Sequence, residues 1–115
     1  MKFDNLKNYE RNWVVGNFEP SLFKTESVDI GILYCKKNEI GDLHYHLNHT
    51  EYNIIIDGCV NINNVLLNKG DIFIYEPKDK SDLFFVEDTI LLVIKNPSTK
   101  NDKHYENTKW NSNKS

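Results

Sequence analysis

From Val28 onward the chain consists of short runs of β-branched and aromatic residues, cut by turn-forming residues every roughly 8–12 positions. That cadence limits it to an antiparallel sandwich or barrel. Val28 to Cys35 alternates, with Val28, Ile30 and Ile32 assigned to one face of a half-buried strand. Glu51 to Ile56 and Val60 to Leu67 follow, and Asp57-Gly58 between them reads as a hairpin turn. Asn63-Asn64 is a second tight-turn candidate, because Asn tolerates positive φ. Lys69-Gly70-Asp71 opens a third run, Ile72 to Tyr75, which stops before Pro77. Leu83 to Val86 and Thr89 to Lys95 supply two more strands, joined by the acidic turn Glu87-Asp88, and no helical period interrupts the series.

The flanks read differently. In residues 1–27, Trp13, Val14, Val15, Phe18, Leu22 and Phe23 are too apolar for a free tail. They predict a strand, a covering segment, or an edge that pairs with a neighbouring copy. Residues 28–97 form the barrel of this reading, and residues 98–115, rich in Lys, Asn and Ser, a polar disordered tail. At 115 residues the chain fits one domain, able to bury roughly 65% of its unfolded surface. A net charge of −3 without a basic stripe argues against nucleic acid as a partner. No apolar run nears the ~18 residues of a membrane span, and the opening MKFDNLKNYERN lacks a secretion signal. A cytoplasmic protein is expected, with Cys35 and Cys59 as reduced, buried thiols.

The chemistry concentrates between Gly41 and Gly58. On an extended strand His44 and His46 share a face, because side chains alternate with period two. Glu51 then arrives after a short turn, and two imidazoles with one carboxylate suit a divalent metal ion. His-x-His alone is weak, but the four-residue gap to Glu51 and the later Gly58 strengthen it. His49 lies in the turn between them, read as a solvated loop residue with a spare role as base or substrate contact at the rim. Tyr45 and Tyr52 alternate away from the site, His104 reads as a surface histidine, and Glu87 and Asp88 as solvated turn acids. Phe73 and Tyr75 share a face that fills or lines the barrel mouth.

These residues resemble the cupin family. His44-x-His46, four residues, Glu51, six residues and Gly58 match its first motif, although Gly41 stands closer to His44 than the family's usual glycine. Gly70 to Pro77 resembles the start of its second motif, but no histidine follows where the last metal ligand is expected, near Ser81 or Asp82. The resemblance covers about Val28 to Lys95. It implies an all-β fold, a cupin-type antiparallel β-barrel (double-stranded β-helix, or jelly roll), commonly dimeric. It also implies a divalent ion, Fe, Mn, Zn or Ni, held by His44, His46 and Glu51, with Asp82 completing the shell as an oxygen donor. The alternative is a polar pocket that has lost its metal.

The functional expectation is therefore a metal-binding cupin acting on a small polar molecule, with a carbohydrate or sugar-derived substrate preferred by analogy. Isomerase, epimerase, lyase and dioxygenase chemistry all remain open, and His49 and Tyr75 are the candidate substrate contacts. The competing expectation is a non-enzymatic small-molecule or sugar-binding and sensing module with a degenerate metal site. A homodimer is expected in either case.

Overall fold

β-branched residues in short alternating runs satisfy their backbone groups by pairing, and the chain does so in ten strands among the described residues. The computed structural model describes residues 1–40, 44–46, 48–98 and 103–105, with 44–46 and 103–105 described through their backbone. Two single-turn 3-10 helices, Leu6–Asn8 and Glu10–Asn12, lead into β1 (Trp13–Val15) and β2 (Asp29–Cys35). There follow β3 (His44–His46), β4 (Thr50–Asp57), β5 (Cys59–Ile62), β6 (Val65–Asn68), β7 (Ile72–Tyr75), β8 (Leu83–Phe85), β9 (Thr89–Asn96) and β10 (Lys103–Tyr105). They make a five-stranded sheet in the order β1-β2-β9-β4-β7, a three-stranded sheet β6-β5-β8 and a ribbon β10-β3. Every strand pairing is antiparallel.

The core lies between the two larger sheets. Ile55, Leu91 and Val93 from the first meet Val60 and Phe85 from the second, each nearly sealed from solvent. Full burial of such side chains stabilises by about 1.5–3 kcal/mol apiece. Trp13 closes one side by lying flat on β2. It can do so because residue 31 is glycine: a Cβ there would sit 2.6 Å from the Trp13 ring.

Several turns follow their sequence signals. Asn63 and Asn64 adopt φ of 50° and 67°, the two left-handed residues of a tight hairpin turn joining β5 to β6. Asn61 Oδ1 accepts from the Asn64 amide at 3.0 Å and steadies it. Pro77 follows the end of β7, as its missing amide requires.

Other elements differ from the sequence reading. Asp57-Gly58 is not a hairpin turn. β4 pairs with β7 and β9 while β5 pairs with β6 and β8, so the dipeptide is a corner where the chain changes sheets. Gly58 takes a φ of 105°, and a Cβ on it would meet Thr89 Oγ1 at 2.4 Å and the Asp88 carbonyl oxygen at 2.5 Å. Buried Thr89 holds the corner in turn: its hydroxyl accepts from the Cys59 amide at 3.3 Å and donates to the Glu87 carbonyl at 2.9 Å.

The inward face of β2 is also the reverse of the expected one. Asp29 and Gly31 are buried and Leu33 and Cys35 pack on the core, while Ile30 and Ile32 lie on the opposite face with exposed Tyr34. Within 98–115, read as a disordered tail, Lys103–Tyr105 is a strand paired with His44–His46; residues 106–115 lie outside the described residues. The N-terminal edge is engaged within the chain. β1 pairs with β2 on one side, and the Leu22 amide donates to the Val14 carbonyl at 2.7 Å on the other.

Candidate functional site at the polar end of the barrel

The register of the five-stranded sheet sorts the inner face into rows. Leu33, Leu91 and Ile55 form an apolar row. Beside it Gly31, Val93, Asn53 and Phe73 form a mixed row. The next row is almost wholly polar: Asp29, Lys95, Glu51 and Tyr75. One end of the barrel interior is thus a hydrophobic floor and the other carries charge.

Glu51 is the centre of the polar end. Thr50–Asp57 is a strand, so the period of two that buries Asn53 and Ile55 also turns Glu51 inward. Its neighbour across the pairing is Tyr75. Burial pushes the Tyr75 hydroxyl above its ordinary pKa; a hydrogen bond with Ser81 pulls it back, and the negative charge of Glu51 raises it further. Tyr75 therefore keeps its proton through neutral pH and stands as a donor. Its ring packs edge-on against Phe73, with centroids 5.8 Å apart, so the aromatic pair both fills the barrel and lines it. A cleft of about 300 Å³ opens beside Tyr75, between Ile62 and Asn63 on one side and Ile74, Asp79 and Ser81 on the other; Glu51 and Asn53 do not line it.

His49, two positions before Glu51, is 2% exposed, so it is a buried imidazole rather than a solvated loop residue. Burial of a residue outside the strands depends on tertiary packing, which a local reading does not show. His44 and His46 lie on β3, where the backbone pairs His44 with Tyr105 and His46 with Lys103; their side chains lie outside the described residues. Asp82 is not brought to this site. It is exposed, and its amide donates to Asn63 Oδ1 at 3.0 Å. Ser81, one residue earlier, points the other way and meets Tyr75. Period two explains the exchange, since Leu83 and Phe85 of β8 turn toward the core with Ser81, and exposed Phe84 turns out with Asp82.

Two residues of the polar end escape a sequence reading. Asn53 is 2% exposed and its Nδ2 has no hydrogen-bond partner among the described residues, an expensive state for a buried amide. The available signal was its place two residues after Glu51, the one amide in an Ile-rich run. Lys95 sits beside Glu51 in register, its Nζ 4.6 Å from the centre of the Trp13 ring. Nothing in the sequence links those two residues.

The donor set suits a divalent ion only in part. Glu51 offers a carboxylate and His49 an imidazole, but among the described residues no three His, Cys, Asp or Glu side chains gather into a metal-holding group. Such an ion fits if His44 and His46 complete its shell.

No protein-family model and no curated protein matches the chain. Solved structures do. An RmlC-like cupin from Shewanella frigidimarina is 21% identical at a TM-score of 0.57, over 66% of this chain and 71% of that one. The DMSP lyase DddQ from Ruegeria pomeroyi is 13% identical at a TM-score of 0.69, over 86% of this chain and 52% of that one. A pirin from Escherichia coli in complex with nickel(II) is 16% identical at a TM-score of 0.58, over 76% of this chain and 39% of that one. Two antiparallel sheets closed over one core, with a polar end, agree with these likenesses: the chain has the cupin fold.

Proposed function

We propose that the protein binds a divalent metal ion at the polar end of its barrel and acts there on a small polar molecule. The observation that carries this is Glu51, turned to the inner face beside Tyr75, on the strand that follows His44-x-His46 at the family's spacing. His44, His46 and Glu51 would hold the ion, with His49 adjoining Glu51 on the buried side. A bound ion supplies Lewis acidity toward a carbonyl or hydroxyl oxygen. The chain's own groups do the rest. Tyr75 donates a proton or hydrogen bond to a ligand oxygen, and Ser81 orients that hydroxyl. A cleft of about 300 Å³ accepts a molecule the size of a monosaccharide or small acid. A nickel-bound pirin and a lyase among the similar structures support metal binding and small-molecule chemistry as the class. By analogy with the fold's frequent uses, a carbohydrate or sugar-derived acid is the substrate class we favour.

Elemental analysis of protein purified without chelator tests the metal. About one equivalent of a transition ion in the wild type, falling at least tenfold in Glu51→Gln, is the expected result. Less than about a tenth of an equivalent in the wild type, with no uptake on titration, overturns it.

A second reading, a binding or sensing module without catalysis, is favoured by one feature. Ser81 stands where the family's last imidazole is expected, and Asp82 faces solvent. The two readings separate at Glu51→Gln: an enzyme loses turnover, whereas a binding module keeps a weakened ligand affinity.

A further inference from the structure

The strand that carries His44-x-His46 has little else to hold it. Among the described residues β3 belongs to neither larger sheet; its ladder partner is β10, with Lys103 opposite His46 and Tyr105 opposite His44. The chain leaves the second sheet at Ile40, after a single bridge to Phe84 and backbone bonds that tie Asn38 and Glu39 to Phe85. It enters the first sheet again at Thr50, the start of β4. β4 and β9, by contrast, are each paired along both edges. A two-stranded ribbon on its own is marginal in water, so the order of β3 depends on what fixes β10.

Ser98, just past β9, is tied down twice. Its hydroxyl donates to Oδ1 of Asp29, a carboxylate only 8% exposed, and its amide donates to the Glu26 carbonyl at 3.1 Å. Burying a carboxylate is costly unless it is hydrogen-bonded, and Ser98 supplies such a bond. Asp29 stands in the same cross-strand row as Lys95, Glu51 and Tyr75. Five residues after Ser98, Lys103 opens β10 against β3, and a chain of that length reaches at most ~17 Å. We infer that Ser98 and β10 together form a positioning strap, tied at one end to the row that holds Glu51 and at the other to β3. It keeps the backbone of His44-x-His46 in place for the ion site of which Glu51 is part. Groups that orient metal ligands without touching the metal carry about 10–100-fold of its affinity. The strap's role rests on the proposed metal site, whereas its ladder to β3 needs no ion.

Hydrogen exchange and nickel(II) titration of the full chain test this together, with the double variant Lys103→Pro/His104→Pro. Successive amides face opposite edges of a strand, so the pair of prolines removes the one that faces β3. Exchange in the peptide spanning His44–His46, measured with chelator present, is expected to quicken about tenfold while β4 and β9 keep their protection. Nickel(II) affinity is expected to fall about tenfold or more. Should β4 and β9 also lose protection, Ser98→Ala decides, since it removes only the hydroxyl on Asp29. Exchange at His44–His46 is then expected to be about threefold faster than in the wild type. A wild type that binds nickel(II), with unchanged exchange at His44–His46 in the deciding variant, overturns the strap alone. Faster exchange with undiminished nickel(II) affinity does the same. No uptake by the wild type overturns the metal reading and, with it, the strap's role in that site.

Discussion

The two faces of the five-stranded sheet are built from the same four strands, residue by residue in alternation, yet they do different work. The inner face is graded, from Leu33, Leu91 and Ile55 at the floor to Asp29, Lys95, Glu51 and Tyr75 at the polar end. The outer face is apolar through its middle, where Ile30, Ile94, Tyr52 and Ile74 form one row and Ile32, Leu92, Ile54 and Ile72 the next, and turns polar at its ends, with Thr50 beside Asn96 and Asp57 beside Ile90. By composition the outer face is the more hydrophobic of the two. Burial, not hydrophobicity, separates core from surface here, and at one end of the barrel polar residues that a sheet ordinarily turns to water are turned inward.

The sharpest way to break that comparison is to truncate one residue on each face. Leu91→Ala on the inner face removes a side chain 3% exposed and is expected to cost about 3 kcal/mol. Ile32→Ala on the outer face leaves less of a cavity and is expected to cost about 1 kcal/mol, read by urea unfolding at equal protein concentration. Equal losses would mean that the outer face is covered as closely as the inner one.

The corner that carries the chain from one sheet to the other offers the next test. Gly58→Ala places a Cβ on a residue at φ 105°, against the Asp88 carbonyl oxygen and Thr89. A loss of about 2 kcal/mol is expected, seen as a lowered Tm. A neutral result would show that Asp57-Gly58 relaxes as an ordinary hairpin does.

The smallest effect sharpens the assignment of the inner face of β2. Burial pushes the Cys35 thiol from 9.0 up to about 11, with a contribution from the charge of Glu39. The unfolded chain then loses that proton before the folded one does. Between these pH values the unfolded state binds fewer protons, so stability is fully present below pH 9 and falls as pH rises toward 11. A loss of about 1–2 kcal/mol is expected, and Cys35→Ala flattens the curve between pH 9 and 10, below the range where Tyr75 begins to contribute. An unchanged slope would place the thiol in water, on the same side as Tyr34.

Much of the architecture was legible in the residues themselves. Period-two runs bounded by Asn63-Asn64, Gly70 and Pro77 are local signals, set by the φ range of Asn, the freedom of glycine and the missing amide of proline. They predict strands and their ends wherever the chain later packs. Glu51 followed at the right spacing from His44-x-His46 for the same reason, since alternation along a strand is a local rule.

Direction was a different matter. Alternation says which residues share a face but not which face meets the other sheet, and on β2 both choices were apolar enough to pass. Only the approach of Val60 and Phe85 from the second sheet made Leu33 and Cys35 the inner pair and left Ile30 and Ile32 outside. The same dependence on distant partners turned Asp57-Gly58 from a hairpin into a corner, buried His49, and chose Ser81 over Asp82. Local sequence set the periods and the breaks, because these follow from the conformational limits of single residues. The packing of one sheet on the other set the sides, because burial depends on residues far away along the chain.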